Sequence, residues 1–219
     1  MKKLFCINTI TNFKDIIFDP FAVPFMEKHS DVEIYNIVDD TLLKETTANQ
    51  GVTASVIRRM YNYSMSAVEC GADCIMCTCT SVNAAAVALK NIVPIPIFDI
   101  DEPVARKAVQ IGRKIGVLAT LPTSPNAIIR TIETEATQAG KSVEILTCVA
   151  EGAFDVLSAG DRNRHDEMVC EQLYRLAKEV DTIVFAQISM SLLKHDPCDV
   201  PIIKIGESGY DYARELMGL

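Results

Sequence analysis

Along the chain, short apolar runs alternate with longer amphipathic ones. Lys3 to Ile7 is an apolar run closed by Asn8-Thr9 and predicts a strand, and Val32 to Val38 alternates apolar and polar positions with strand period. Cys74 to Cys77 is apolar without alternation, as in a parallel strand covered on both faces. Val93-Pro-Ile-Pro-Ile-Phe98 predicts a short strand near a sheet edge, because proline cannot donate to a ladder. Between these runs, Asp19 to His29 reads as a helix. Thr53 to Glu69 sets Val56, Met60, Tyr63 and Ala67 at helical spacing and stops at Gly71. Val82 to Leu89 is built of strong helix formers, and Pro103 to Gln110 opens a further helix.

A second round follows. Lys114 to Ala119, Val143 to Val149, Thr182 to Ala186 and Ile202 to Ile205 read as strands. Pro125 to Ala139, His165 to Glu179 and Tyr210 to Met217 read as helices. Regular alternation of this kind predicts an α/β fold with parallel sheet and helices on both faces.

The second round also echoes the first residue by residue. Lys2-Lys-Leu-Phe-Cys-Ile-Asn-Thr9 aligns with Arg113-Lys-Ile-Gly-Val-Leu-Ala-Thr120, an offset of 111 (120 − 9). Asp73-Cys-Ile-Met-Cys-Thr-Cys79 aligns with Asp181-Thr-Ile-Val-Phe-Ala-Gln187, an offset of 108 (187 − 79). Ile92-Val-Pro-Ile95 recurs as Asp199-Val-Pro-Ile202, and Ala105-Arg106 as Ala213-Arg214. Four echoes in one order predict two similar Rossmann-like parallel-sheet halves related by a pseudo-twofold axis, with the active site in the cleft between them. The expected boundaries are 1–98 plus 207–219 for the first half and 99–206 for the second.

Composition narrows the partners. A net charge of −8 lacks the basic face that nucleic acid requires, and no run of Lys and Arg offers an anionic membrane a footing. Asn8, Asn12, Lys14 and Asp15 break the start before a signal-peptide core can form, and no window reaches the ~18 apolar residues of a membrane span. The expectation is a cytoplasmic protein whose eight cysteines are reduced, with Cys6, Cys70, Cys148 and Cys170 serving as small buried hydrophobes.

Chemistry concentrates where strands give way to helices. Cys79 stands at such a turn, followed by Thr80 and Ser81, and a helix start lowers a thiol's pKa from about 8.5 toward the useful thiolate. Thr80, Ser81, Thr120 and Thr123 offer hydroxyl and backbone donors to an anion, Asn8 adds an amide, and Gln187 and Ser189 occupy the matching turn of the second half. Cys74 and Cys77 point to opposite faces of a strand and no histidine lies near them in sequence, so no metal site is expected. His29, His165 and His195 read as exposed or helix-end residues, His165 being the strongest exception.

Asp73 followed six positions later by Cys79-Thr80-Ser81 resembles the Asp-x5-Cys-Asn-Thr motif of the aspartate/glutamate/hydantoin racemase superfamily. Gly116-Val-Leu-Ala-Thr120-Leu-Pro-Thr123 resembles that superfamily's Gly-x-x-x-Thr-x-x-Thr turn. The resemblance implies an isomerase without cofactor that moves a proton beside the carboxylate of a small amino or organic acid, with a cysteine on each face. It also implies a homodimer or larger homo-oligomer. Here the second cysteine is replaced by Gln187, which an amide's chemistry bars from proton transfer. One-sided chemistry stands as the alternative, either decarboxylation or cis–trans isomerisation of a small dicarboxylate, and beside it a carboxylate-binding protein without catalysis.

Overall fold

The computed structural model describes residues 1–122 and 124–219. The chain divides into two compact units, Met1–Ile100 with Gly206–Leu219, and Asp101–Ile205. In the first, β1 (Lys2–Asn8) lies between β2 (Val32–Val38) and β3 (Cys74–Cys77), and β4 (Ile97–Asp99) extends the sheet beyond β3. In the second, β5 (Lys114–Ala119) lies between β6 (Glu144–Val149) and β7 (Thr182–Phe185), with β8 (Ile202–Ile203) beyond β7. Every pairing is parallel, so each unit is the α/β sheet that the alternation predicts.

Strand register carries the repeat to single residues. Leu4 to Ile7 pair with Cys74 to Cys77, and Ile115 to Leu118 pair with Thr182 to Phe185, which preserves both sequence offsets. The echo of Ile92-Val-Pro-Ile95 is out of register by two residues. Ile75 N donates to Pro96 O at 2.9 Å as Ile183 N donates to Pro201 O at 3.0 Å, so Pro96 is the counterpart of Pro201. The strand expected over Val93–Phe98 is accordingly shorter, because a ladder begins only past the two prolines.

Each sheet buries both faces. In the first unit, alternate residues Ile75, Cys77 and Ile97 pack with Phe5 and Ile7 under α3 (Ala54–Glu69) and α4 (Asn83–Leu89). The opposite face meets α9 (Glu207–Leu216), where a Cβ on Gly209 would sit 2.8 Å from Ile100 and 3.0 Å from Met76. In the second unit, Leu118, Ile183 and Phe185 pack with Val169, Leu173 and Leu176 of α8 (Arg162–Leu176). Gly116 belongs to this contact: a Cβ there would meet Leu176 at 2.8 Å, so the glycine of the Gly-x-x-x-Thr pattern admits a helix to the sheet.

Three stretches escape the sequence reading. Lys14–Ala22 is a π-helical segment that runs into α1 (Val23–Lys28), where a single helix over Asp19–His29 is predicted. In α2 (Asp40–Ala48) only Leu42 and Thr46 are buried, too few to write an apolar stripe. In α7 (Ala153–Ser158) Ala153 alone is buried. The remaining helices, α5 (Glu102–Ile111) and α6 (Pro125–Gln138), fall within a residue or two of expectation.

Candidate functional site

Strand β3 ends at Cys77, and the next two residues build the turn. Thr78 N and Oγ1 both donate to Ile7 O, at 3.1 and 3.2 Å, and Thr78 Oγ1 also donates to Asn8 Oδ1 at 2.9 Å. Asn8 Nδ2 donates to Asn36 Oδ1 at 3.0 Å, so this buried amide ties three strand ends together at both of its polar atoms. Cys79 follows in extended conformation and opens a short 3₁₀ turn, Thr80–Val82, that leads into α4. Its side chain is half-buried, whereas Cys74 and Cys77 behind it are wholly enclosed.

The electrostatics of Cys79 reverse the sequence expectation. Burial raises the thiol above its ordinary range, and the nearby Asp99 carboxylate pushes it in the same direction. Thr9, together with the Ser81 N–H and hydroxyl, favours the thiolate without outweighing burial. Cys79 therefore rests as a thiol. The Thr9 hydroxyl is buried beside the sulfur and placed to donate to it or to a ligand oxygen there. Thr80 is half-buried and Ser81 exposed on the turn.

The equivalent edge of the second unit closes differently. Gln187 Oε1 accepts from Thr120 N at 2.8 Å and from Thr120 Oγ1 at 3.0 Å, the echo of Thr9 facing Cys79. A main-chain N–H can only donate, so the accepting atom is the amide oxygen and the NH₂ group is the end turned from Thr120. Gln187 leads into a 3₁₀ turn, Ile188–Leu192, with Ser189 half-buried upon it. Thr120 spends both of its donors on Gln187 and is otherwise buried. Thr123 lies outside the described residues.

Asp99 is the acidic neighbour that sequence reasoning missed. It is 3% exposed at the end of β4, in register with Cys77, and a lone Asp after Ile-Phe gives no sequence signal beyond a turn. The aspartates of the two echoed motifs have another task. Asp73 accepts from Lys2 Nζ and from Lys3 N, both at 2.8 Å, and Asp181 accepts from Arg113 N and Lys114 N at 2.8 Å. Both sit at the opposite end of their strands from the turns and clamp the start of the central strand.

The other candidates fall away from the strand ends. His165, the expected exception among the three histidines, is wholly buried in the first turn of α8, with Nδ1 2.7 Å from Asp166 Oδ1. Cys70 is exposed and Cys170 half-buried, so neither is the core hydrophobe expected, while Cys6 and Cys148 are buried. Among the described residues no group of three or more His, Cys, Asp or Glu is arranged to hold a metal ion, and no helix is long and apolar enough to cross a membrane.

Comparison with known proteins agrees with this geometry. Residues 28–213 match the family model described as Asp/Glu/Hydantoin racemase. Among solved structures, a candidate Asp/Glu racemase from Yersinia pestis superposes with a TM-score of 0.74 at 16% identity, covering 100% of both chains. An aspartate racemase homologue from Pyrococcus horikoshii gives 0.73 at 16% identity, again over 100% of both. The allantoin racemase of Klebsiella pneumoniae gives 0.68 at 14% identity, covering 100% of this chain and 88% of the other. At these identities the structural likeness speaks for the fold, and the family model speaks for membership.

Proposed function

Because the chain belongs to the Asp/Glu/hydantoin racemase family, a family of isomerases that work without cofactor, we propose that it acts at the carbon next to a carboxylate of a small amino or organic acid, with Cys79 as its proton-transferring residue. The observation that carries this reading is the Cys79 turn: a half-buried thiol at a strand end, with the buried Thr9 hydroxyl beside it. A thiol that rests protonated is equipped to give a proton. Loss of CO₂ from the substrate carbon leaves an enediolate. Cys79 S–H transfers its proton to that carbon, and the thiolate regains one from water. Thr9, Thr80 and Ser81 supply hydroxyl and N–H donors to the carboxylate oxygens, where charge builds as the enediolate forms. Asn8 serves this edge by fixing Thr78 in place.

At the second unit's edge, Gln187, held in place by Thr120, presents an amide NH₂ that with Ser189 would bind a carboxylate without exchanging protons. Two-base racemisation needs an acid/base group for each face of the substrate, so the replaced thiol favours one-sided chemistry: decarboxylation followed by protonation, or isomerisation through Cys79 alone. A homodimer or larger homo-oligomer in the cytoplasm belongs to the same reading.

The test is proton traffic in D₂O. Amino acids, hydroxy acids and substituted malonates are incubated with the enzyme, and deuterium at the α-carbon or release of CO₂ is followed by NMR. At least one class is expected to react, and Cys79→Ser to lower its rate by at least ~10³-fold, in line with removal of an essential acid/base group. Tight carboxylate binding with neither signal would make the protein a binding module. Unchanged turnover in Cys79→Ser would remove Cys79 from the chemistry.

A further inference from the structure

The sheet of the first unit brings a second ionisable group to the Cys79 turn. In a parallel pair, residues in register project to the same face, and Cys77 is in register with Asp99 as Ile75 is with Ile97. Ile75, Cys77 and Ile97 all pack in the core beneath α3 and α4, and Cys79 packs against that core from its edge. Alternation therefore carries Cys79 and Asp99 onto one face, diagonal to each other across β3 and β4. Ile100 N donates to Cys77 O at 2.9 Å, which fixes the β4 end beside the turn, and Asp99 is 3% exposed there.

Charged side chains on the neighbouring helices pair with one another. Arg59 on α3 binds Asp39 at 2.9 Å and Glu45 of α2 at 2.7 Å, and Tyr63 donates to Asp39 at 2.8 Å. Lys44 of α2 pairs with Asp40 at the surface, and α4 carries no ionisable side chain. Cys77, a thiol like Cys79, is wholly buried and directs its S–H at the Cys79 carbonyl, 3.8 Å away. Asp99 brings a carboxylate to that same face at the end of β4.

We propose that Asp99 is a positioning residue for Cys79: its carboxylate, held on the same face of the sheet, keeps the sulfur in the S–H form in which Cys79 enters the reaction as a proton donor. Like charges close together in a buried setting disfavour one another, so a thiolate facing Asp99 is costlier than one facing a neutral group. The same repulsion returns a proton from water to the sulfur after each transfer. At the matching position of the second unit stands Lys204, whose ammonium lies 5.7 Å from the Phe185 ring, so a carboxylate at a strand end next to the turn is confined to the unit that kept its thiol.

This inference rests on Cys79 as the proton donor, yet its test needs no substrate. The rate of iodoacetamide alkylation at Cys79 is measured against pH by peptide mass spectrometry in the whole protein, in Asp99→Asn and in Asp99→Glu. Cys70, exposed on the same chain, is the internal reference. Asp99→Asn is expected to move the Cys79 midpoint down by about one pH unit and to raise its alkylation at pH 8 several-fold, with Cys70 unchanged. Asp99→Glu, which keeps the charge, is expected to hold the midpoint near that of the parent. An Asn midpoint equal to the parent's in a protein with native circular dichroism would overturn the proposal. If the Asn variant does not fold, Asp99→Ser is read in the same way. A shifted midpoint without deuterium exchange or CO₂ release would leave Asp99 in this role and defeat the enzymatic reading instead.

Discussion

At Gln187 a single amide decides what one strand end can do. Its oxygen is fixed by two donors from Thr120, one of them a backbone N–H, so the side chain cannot flip to present its oxygen elsewhere. What it presents instead is a neutral pair of donors suited to a carboxylate. Replacing it with Glu keeps both bonds to Thr120, since a carboxylate accepts at least as well as an amide, but exchanges the donors for a negative charge. Gln187→Glu is therefore expected to melt within about 3 °C of the parent, the range of a substitution that leaves packing intact. Its affinity for a small carboxylate is expected to drop at least ~10-fold, or about 1.4 kcal/mol, by isothermal titration. An unchanged affinity would take Gln187 out of the binding set. The contrast with Cys79 is one of environment as well as identity. Both stand in extended backbone before a 3₁₀ turn, but the first unit surrounds its residue with the Thr9 hydroxyl and a carboxylate, the second with a threonine whose donors are spent.

Among the secondary-structure elements, the motif that carries the family resemblance splits into two tasks at the two ends of one strand. Asp73 and Asp181 lie at the strand starts and hold the first N–H groups of β1 and β5, while Cys79 and Gln187 lie past the strand ends. The bond from Lys2 and the N–H of Lys3 hold Asp73 below the usual carboxylate range, and the N–H groups of Lys114 and Arg113 do the same for Asp181. A carboxyl whose pKa is lowered by folding adds stability above its unfolded value near 3.9, and that stability is lost as pH falls through the lower, folded value. Asp73→Asn should thus cost about 1 kcal/mol at pH 7 by urea denaturation, after discounting for partial exposure, and the gap to the parent should close as pH falls through the lowered, folded value. A gap that persists in acid would mean the residue acts through packing. This division also explains what the sequence could show. The central strands were legible because Leu4 to Ile7 and Ile115 to Leu118 are buried without interruption, and the echo between halves was legible because the clamp and the turn sit at fixed distances along each strand. Asp99 was not, since its role depends on β3–β4 register, and two prolines misplace that register by two residues when only the sequence is read. The pKa of Cys79 was misjudged for a similar reason: a helix start is visible in sequence, but the depth at which the thiol lies is not. Helices α2 and α7 bury one or two side chains each, and a helix without a stripe leaves no period to detect.

For the whole molecule, the chain leaves its first unit after Ile100 and returns to it at Gly206, and each crossing carries a constrained residue. Gly206 takes φ +126°, and a Cβ there would come within 2.7 Å of the Phe21 ring, so both conformation and space demand glycine. Asp101 opens the second unit, its carbonyl accepting from Ala105 N at 2.9 Å at the start of α5. Its side chain is wholly buried, and burial pushes its carboxyl up to about 8. At neutral pH the group is therefore mostly protonated in the folded chain and ionised in the unfolded one. Folding that raises an acid's pKa takes up a proton, so the stability it allows is full below the unfolded value near 3.9 and is eroded as pH rises from there to about 8. Asn matches the protonated acid in size and never ionises. Asp101→Asn is accordingly expected to gain on the parent as pH rises from 5 to 8, by at least ~1 kcal/mol at the upper end, and to gain nothing further above pH 9. Thermal melts of both proteins at unit pH intervals read this directly. A constant difference across that range would mean that Asp101 titrates normally, and that the crossing between units tolerates a charge there.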